Sequence, residues 1–142
     1  GRSRGRRREL DTVVILTMRP GAKPLRLHIG AATGTLRVMA LPWQLVDRAE
    51  TADGVLELRR RAADDVLLTI DGRVLMSSRA NRSEVALAEL ACAGIAARPR
   101  PSVLIGGLGL GFTLRAALDA LPAAAQVTVA ELNPAVAAWC AG

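Results

Sequence analysis

The stretch Val103–Trp139 constrains this chain more than any other. The apolar run Val103-Leu104-Ile105 ends in Gly106-Gly107-Leu108-Gly109-Leu110-Gly111. A helical pattern begins at Phe112 and stops at Leu121-Pro122, where the residue before proline is pushed out of the helical region. A second apolar run, Val127-Thr128-Val129-Ala130, then ends in Glu131. The order is strand, glycine turn, helix, strand, acid. It predicts two parallel strands joined by the helix, with the glycines and Glu131 together at the carboxyl edge of the sheet.

That order has a chemical reading. Glycines let backbone approach a ligand closely, and a helix start offers N–H groups with no intrahelical acceptor. A carboxylate at the tip of the second strand can accept hydrogen bonds from ribose hydroxyls. Glu131 lies 20 positions after Gly111, close to the spacing such a unit requires. No register of the four glycines gives the dinucleotide pattern G-x-G-x-x-G. Gly107, Gly109 and Gly111 give G-x-G-x-G, the pattern usual in folds that bind S-adenosylmethionine. The glycines alone would also suit a plain tight turn; Glu131 is the independent half of the signal. Gly106, Gly107, Gly109, Gly111 and Glu131 are therefore the candidate nucleoside-binding residues.

Ile105-Gly106-Gly107, the following glycines, Thr113-Leu114-Arg115 and Glu131-Leu132-Asn133-Pro134-Ala135-Val136 resemble the spermidine synthase (polyamine aminopropyltransferase) family in its bacterial spermidine-synthase-like branch. The resemblance runs from about Met39 to the end of the chain. It implies an α/β protein: a small N-terminal antiparallel β meander, then the first βαβ of a Rossmann-like transferase domain, truncated. It implies S-adenosylmethionine or its decarboxylated form as ligand, a small amine as second substrate, no metal, and dimers or tetramers of the full-length protein. Two parallel strands fall short of the roughly five usual in such sheets, so the sequence reads as an N-terminal fragment. The family's catalytic aspartate is then expected beyond Gly142.

Several family positions differ here. The loop aspartate that is implied to hold the substrate's amino group is replaced within Leu108-Gly109-Leu110. The glutamine that follows the Leu-Asp-Gly hairpin falls near Leu75. Of the Tyr-His-Glu motif only Glu89 remains, as a substrate-binding candidate, and the chain has no tyrosine. These departures weaken spermidine as the product and leave nucleoside binding. A degenerate non-catalytic module and a methyltransferase stay open as alternatives.

Three segments are expected: 1–38, 39–80 and 81–142. Of the net charge of +6, residues 1–10 hold +4, through five arginines and Glu9. With no interleaved aromatics this Arg/Gly stretch reads as a solvated tail rather than a nucleic-acid site. Weak strand patterns follow at Val13–Leu16, Leu25–Ile29 and Thr35–Met39. Met39 is a candidate native start; residues 1–38 would then be upstream sequence that packs poorly. His28, the single histidine, reads as a surface residue.

From Trp43 the runs Gln44–Ala49, Val55–Arg60, Val66–Ile70 and Val74–Met76, with Asp-Gly turns at 53–54 and 71–72, predict an antiparallel meander. Asn81 and Glu84 suggest a capping box for a helix reaching about Ala97, and Pro134 opens a last helix. Cys92 and Cys140 make no metal or disulfide pattern, and no apolar run reaches membrane length, so a cytoplasmic protein is expected.

Overall fold

The computed structural model describes residues 14–20 and 41–141. The predicted strands at Leu25–Ile29 and Thr35–Met39, together with His28, Met39 and the arginine-rich tail, lie outside the described residues.

The elements are β1 (Val14–Met18), β2 (Gln44–Thr51), β3 (Gly54–Ala62), β4 (Asp65–Ile70), β5 (Arg73–Ser77), α1 (Arg82–Ala93), β6 (Ser102–Gly106), α2 (Phe112–Ala120), β7 (Gln126–Glu131) and α3 (Pro134–Ala141). They form a four-stranded antiparallel sheet in the order β2-β3-β4-β5 and a three-stranded sheet in the order β1-β7-β6.

Hairpins joined at Asp-Gly or short acidic turns build the antiparallel sheet. Leu56 and Leu58 of β3, and Val66 and Leu68 of β4, are buried, while Glu57 and Arg59 point the other way and pair with each other at 2.7 Å. This is the period-2 alternation of a sheet with one covered face. At the β4–β5 end, Ser78 Oγ donates to the Asp64 carbonyl and accepts the Val66 N–H. Asp65 is buried and accepts Arg61 Nε at 2.6 Å, with Arg79 Nε at 3.4 Å. The Arg61 guanidinium in turn stacks over Trp43, 4.6 Å from the ring centre. Ser78 and Arg79 thus knit the meander together.

In the second sheet β6 and β7 are parallel, with Val103 opposite Val127 and Ile105 opposite Val129. The connection is α2, whose last turn meets the extended residue Leu121 before Pro122. One apolar cluster joins everything: Leu56 and Leu68 of the meander, Cys92 of α1, Val127 and Val129 of β7, and Val136 of α3 all belong to it.

Three details depart from the sequence reading. The sequence reading gives Val13–Leu16 only as a weak strand with no partner; Val14–Met18 pairs antiparallel with β7, and Leu16 and Met18 rest on the shared core. The free edge of β7 offers unpaired backbone groups, and β1 satisfies them. The capping box is not formed: Asn81 Nδ2 donates to the Ser78 carbonyl, and Glu84 accepts the Ser83 hydroxyl. Helix α1 stops at Ala93 rather than near Ala97, because Gly94 begins a run of turns in which Ile95 and Arg98 donate to carbonyls three residues back.

Candidate functional site

Strand β6 ends at Gly106, and the chain turns back into α2 through Gly107, Gly109 and Gly111, with φ of 85°, 54° and 80°. Side-chain-bearing residues avoid these values, so the G-x-G-x-G spacing is a backbone requirement here. Gly106 has an ordinary φ. A Cβ added at Gly106, Gly107 or Gly111 would meet no atom within 4 Å, so those three positions border open space.

The loop's N–H groups divide into two sets. Gly107 donates to the Ala130 carbonyl, Leu108 to Glu131, Leu110 to Met76 and Gly111 to the Leu108 carbonyl. Gly109 and the first turn of α2 — Phe112, Thr113 and Leu114 — have N–H groups with no acceptor among the described residues. Orphan donors of this kind at a helix start suit an electron-rich ligand.

Glu131 stands at the end of β7, beside the loop as the sequence order requires. It is not an exposed strand-end acid. Only 5% of its surface is accessible, and both carboxylate oxygens are engaged: Oε2 accepts the Leu108 N–H at 2.6 Å, and Oε1 accepts the Asn133 N–H at 2.8 Å. The charge is held by two backbone donors, which is how a buried carboxylate avoids an uncompensated desolvation cost. A carboxylate offers about four lone-pair directions, so these two bonds leave two of them unused.

Two sulfur side chains complete the surroundings of the loop, and neither stands out in the sequence. Met76 of β5 accepts the Leu110 N–H at Sδ, 3.1 Å away. Cys140 of α3 donates its thiol to the Gly109 carbonyl at 3.4 Å. Burial, followed by the nearby negative charge of Glu131, pushes the Cys140 thiol up to about 11. It therefore stays protonated, a donor and not a nucleophile. Periodicity within β5 and α3 carries no mark of these long-range contacts.

Glu89 is placed elsewhere. It is exposed on α1 and lines a groove of about 340 Å³ between α1 and α2 with Val85, Phe112, Arg115 and Asp119. Arg115 pairs with Asp119 at 2.6 Å across that groove wall. Phe112, directly after Gly111, is the link between groove and loop. Glu89 makes no hydrogen bond with the loop among the described residues. No group of three His, Cys, Asp or Glu that could hold a metal is present among the described residues, and no described helix is long and apolar enough to cross a membrane.

No protein-family model, no curated protein and no solved structure matches this chain.

Proposed function

We propose that the loop between β6 and α2 binds an adenosine-type nucleoside carrying sulfur at its 5′ position, S-adenosylmethionine or its decarboxylated form, in a Rossmann-like transferase domain similar to that of spermidine synthases. One observation carries this reading: the acid at the end of β7 and the glycine loop after β6 meet at one sheet edge, 2.6 Å apart through the Leu108 N–H. Open space over Gly106, Gly107 and Gly111 and the free N–H groups at the start of α2 support it. In this reading Glu131 binds the ribose through its unused lone pairs, the loop backbone passes along the ligand, and Glu89 has at most an outlying part. The family reaction is aminopropyl transfer to an amine in the cytoplasm, a reaction that needs a general base to deprotonate that amine.

A second reading, a nucleoside-binding module without catalysis, is favoured by a specific observation. Glu131, the only acid hydrogen-bonded to the loop among the described residues, is already committed to two backbone donors. An amine must be deprotonated to attack, and among the described residues no second carboxylate is hydrogen-bonded to this loop to take its proton.

Calorimetric titration of S-adenosylmethionine and decarboxylated S-adenosylmethionine into wild type and Gly106→Ala tests nucleoside binding. Gly106 needs no special φ and its Cβ would strike nothing, so the variant should fold unchanged while losing affinity by about tenfold or more, as the methyl blocks ligand approach. Absence of binding by wild type would remove the nucleoside reading. Unchanged affinity in the variant would remove Gly106 from the site.

A further inference from the structure

Strand β6 is an open edge of its sheet. In the order β1-β7-β6 it is bonded to β7 on one side and to no strand on the other among the described residues. Backbone groups of a strand point alternately to its two sides. Gly107 donates to the Ala130 carbonyl, and the Pro101 carbonyl accepts from Gln126, so the odd-numbered residues of β6 face β7. Ser102, Leu104 and Gly106 therefore direct their N–H and C=O groups to the free side. Folded proteins blunt such edges with charges, prolines or bulges. Ser102-Val103-Leu104-Ile105-Gly106 has no charged residue and no proline, and its register with β7 runs without a break. Its centre is the apolar Leu104, 72% exposed, on the same uncovered face as Ile15 of the opposite edge.

We infer that this edge pairs with the same edge of a second copy of the chain, the two β6 strands running antiparallel about a two-fold axis at Leu104. The edge is its own complement. Under that axis Leu104 lies opposite Leu104 of the second copy, and Ser102 lies opposite its Gly106. Each outward residue meets an outward residue, so each can exchange both backbone bonds with its counterpart. Two apolar side chains meet at the centre, and at either end a small hydroxyl side chain faces a glycine, so nothing bulky collides. No charge is repeated across the axis, which removes the like-charge repulsion that keeps identical edges apart. The product is a continuous six-stranded sheet in place of a three-stranded one, and it closes at two copies because β6 has one free side. A pair of five-residue strands buries less than the roughly 1,200 Å² of lasting complexes, so the dimer is weak and reversible. The inference concerns the sheet edge and does not rest on the nucleoside reading.

Sedimentation velocity of the full chain from about 5 to about 500 μM spans the range in which a weak dimer dissociates. Wild type should pass from monomer to dimer across it. Leu104→Lys and Leu104→Glu each set two like charges against one another and should weaken association by about tenfold or more. An equimolar mixture of the two variants should recover it, because opposite charges then face each other. Leu90→Lys, on the exposed side of α1, should leave association unchanged. Amide exchange reads the backbone itself. The N–H groups of Ser102, Leu104 and Gly106 should slow severalfold from the lowest to the highest concentration, and those of Val103 and Ile105, already turned to β7, should not. Thermal melts confirm that the variants are folded; if one is not, the wild-type exchange pattern and the other variant still decide. A wild type that stays monomeric would overturn the inference and leave the edge to a strand of another protein. A dimer that survives in both Leu104 variants, that Leu90→Lys abolishes, or that leaves exchange at Ser102, Leu104 and Gly106 unaltered would lie on another surface and overturn it equally.

Discussion

The Glu131 carboxylate accepts the Leu108 N–H at 2.6 Å, so the acid ending β7 holds the loop that follows β6. The residue that sequence order nominates for a ligand is also a strut of the loop itself. Both uses follow from one placement, because a carboxylate at the carboxyl edge of a parallel strand lies next to the turn leaving its neighbour.

The strut predicts a cost for Glu131→Gln even with no ligand present. The amide has one acceptor oxygen for two backbone donors, and its NH₂ would face an N–H. Leaving one buried donor unpaired costs about 1–3 kcal/mol. Urea unfolding of wild type and variant measures it. A difference below the error of that experiment would mean that the two N–H groups find other partners.

The glycines separate by substitution to alanine. Gly107→Ala and Gly111→Ala force a side chain into positive φ, at about 1–2 kcal/mol each. Gly109→Ala adds a collision with Met76 to the same strain, and Met76→Ala in the same chain should restore part of the loss. Gly106→Ala should leave stability equal or raise it by about 0.4–1 kcal/mol, through a less flexible unfolded chain. Thermal melts of the five variants check the order; equal losses at 106 and 109 would contradict it.

How much of this was legible in the sequence differs from element to element. The meander was, because Asp-Gly pairs and alternation such as Val55-Leu56-Glu57-Leu58 act over a few residues. The glycine loop was, because positive φ leaves a mark at the residue that adopts it. Pairing of Val14–Met18 with β7 was not legible: its partners are far away in the chain, and five mixed residues have no pattern that names an edge. The burial of Glu131 was hidden for a similar reason. A strand-end acid reads as solvated unless the donors at Leu108 and Asn133 are known. Met76 and Cys140 look like ordinary apolar residues of a strand and a helix; only the tertiary fold aims their sulfur atoms at the loop.

The buried end of the meander should respond asymmetrically to charge removal. Asp65 is inaccessible, whereas Arg61 and Arg79 are each more than a third exposed and can turn to water. Asp65→Ala should destabilise by about 1–3 kcal/mol, through lost charge-assisted bonds and packing. Arg79→Ala should cost less than about 1 kcal/mol, as expected of a largely hydrated partner. Chemical denaturation of the two variants gives the comparison, and a larger loss at Arg79 would contradict it.

Cys140 predicts a loss of stability in alkali. Its thiol titrates at about 11 in the folded protein, against 9.0 for an unperturbed thiol. The folded state therefore holds this proton more tightly than the unfolded state. The corresponding stability is complete below the unfolded value of 9.0 and is lost as pH rises through 9.0 toward 11. Cys140→Ala removes the titrating group, so its stability should decline less over that interval, although it starts lower for want of the bond to the Gly109 carbonyl. Denaturation midpoints at intervals from pH 8 to about pH 11 distinguish the two slopes. In parallel, a thiol reagent at neutral pH should label Cys140 far more slowly in the folded protein than in urea, because the thiol is both buried and protonated. Parallel pH profiles for wild type and variant, or rapid labelling of the folded protein, would show that the thiol is open to solvent and is not a clasp on the glycine loop.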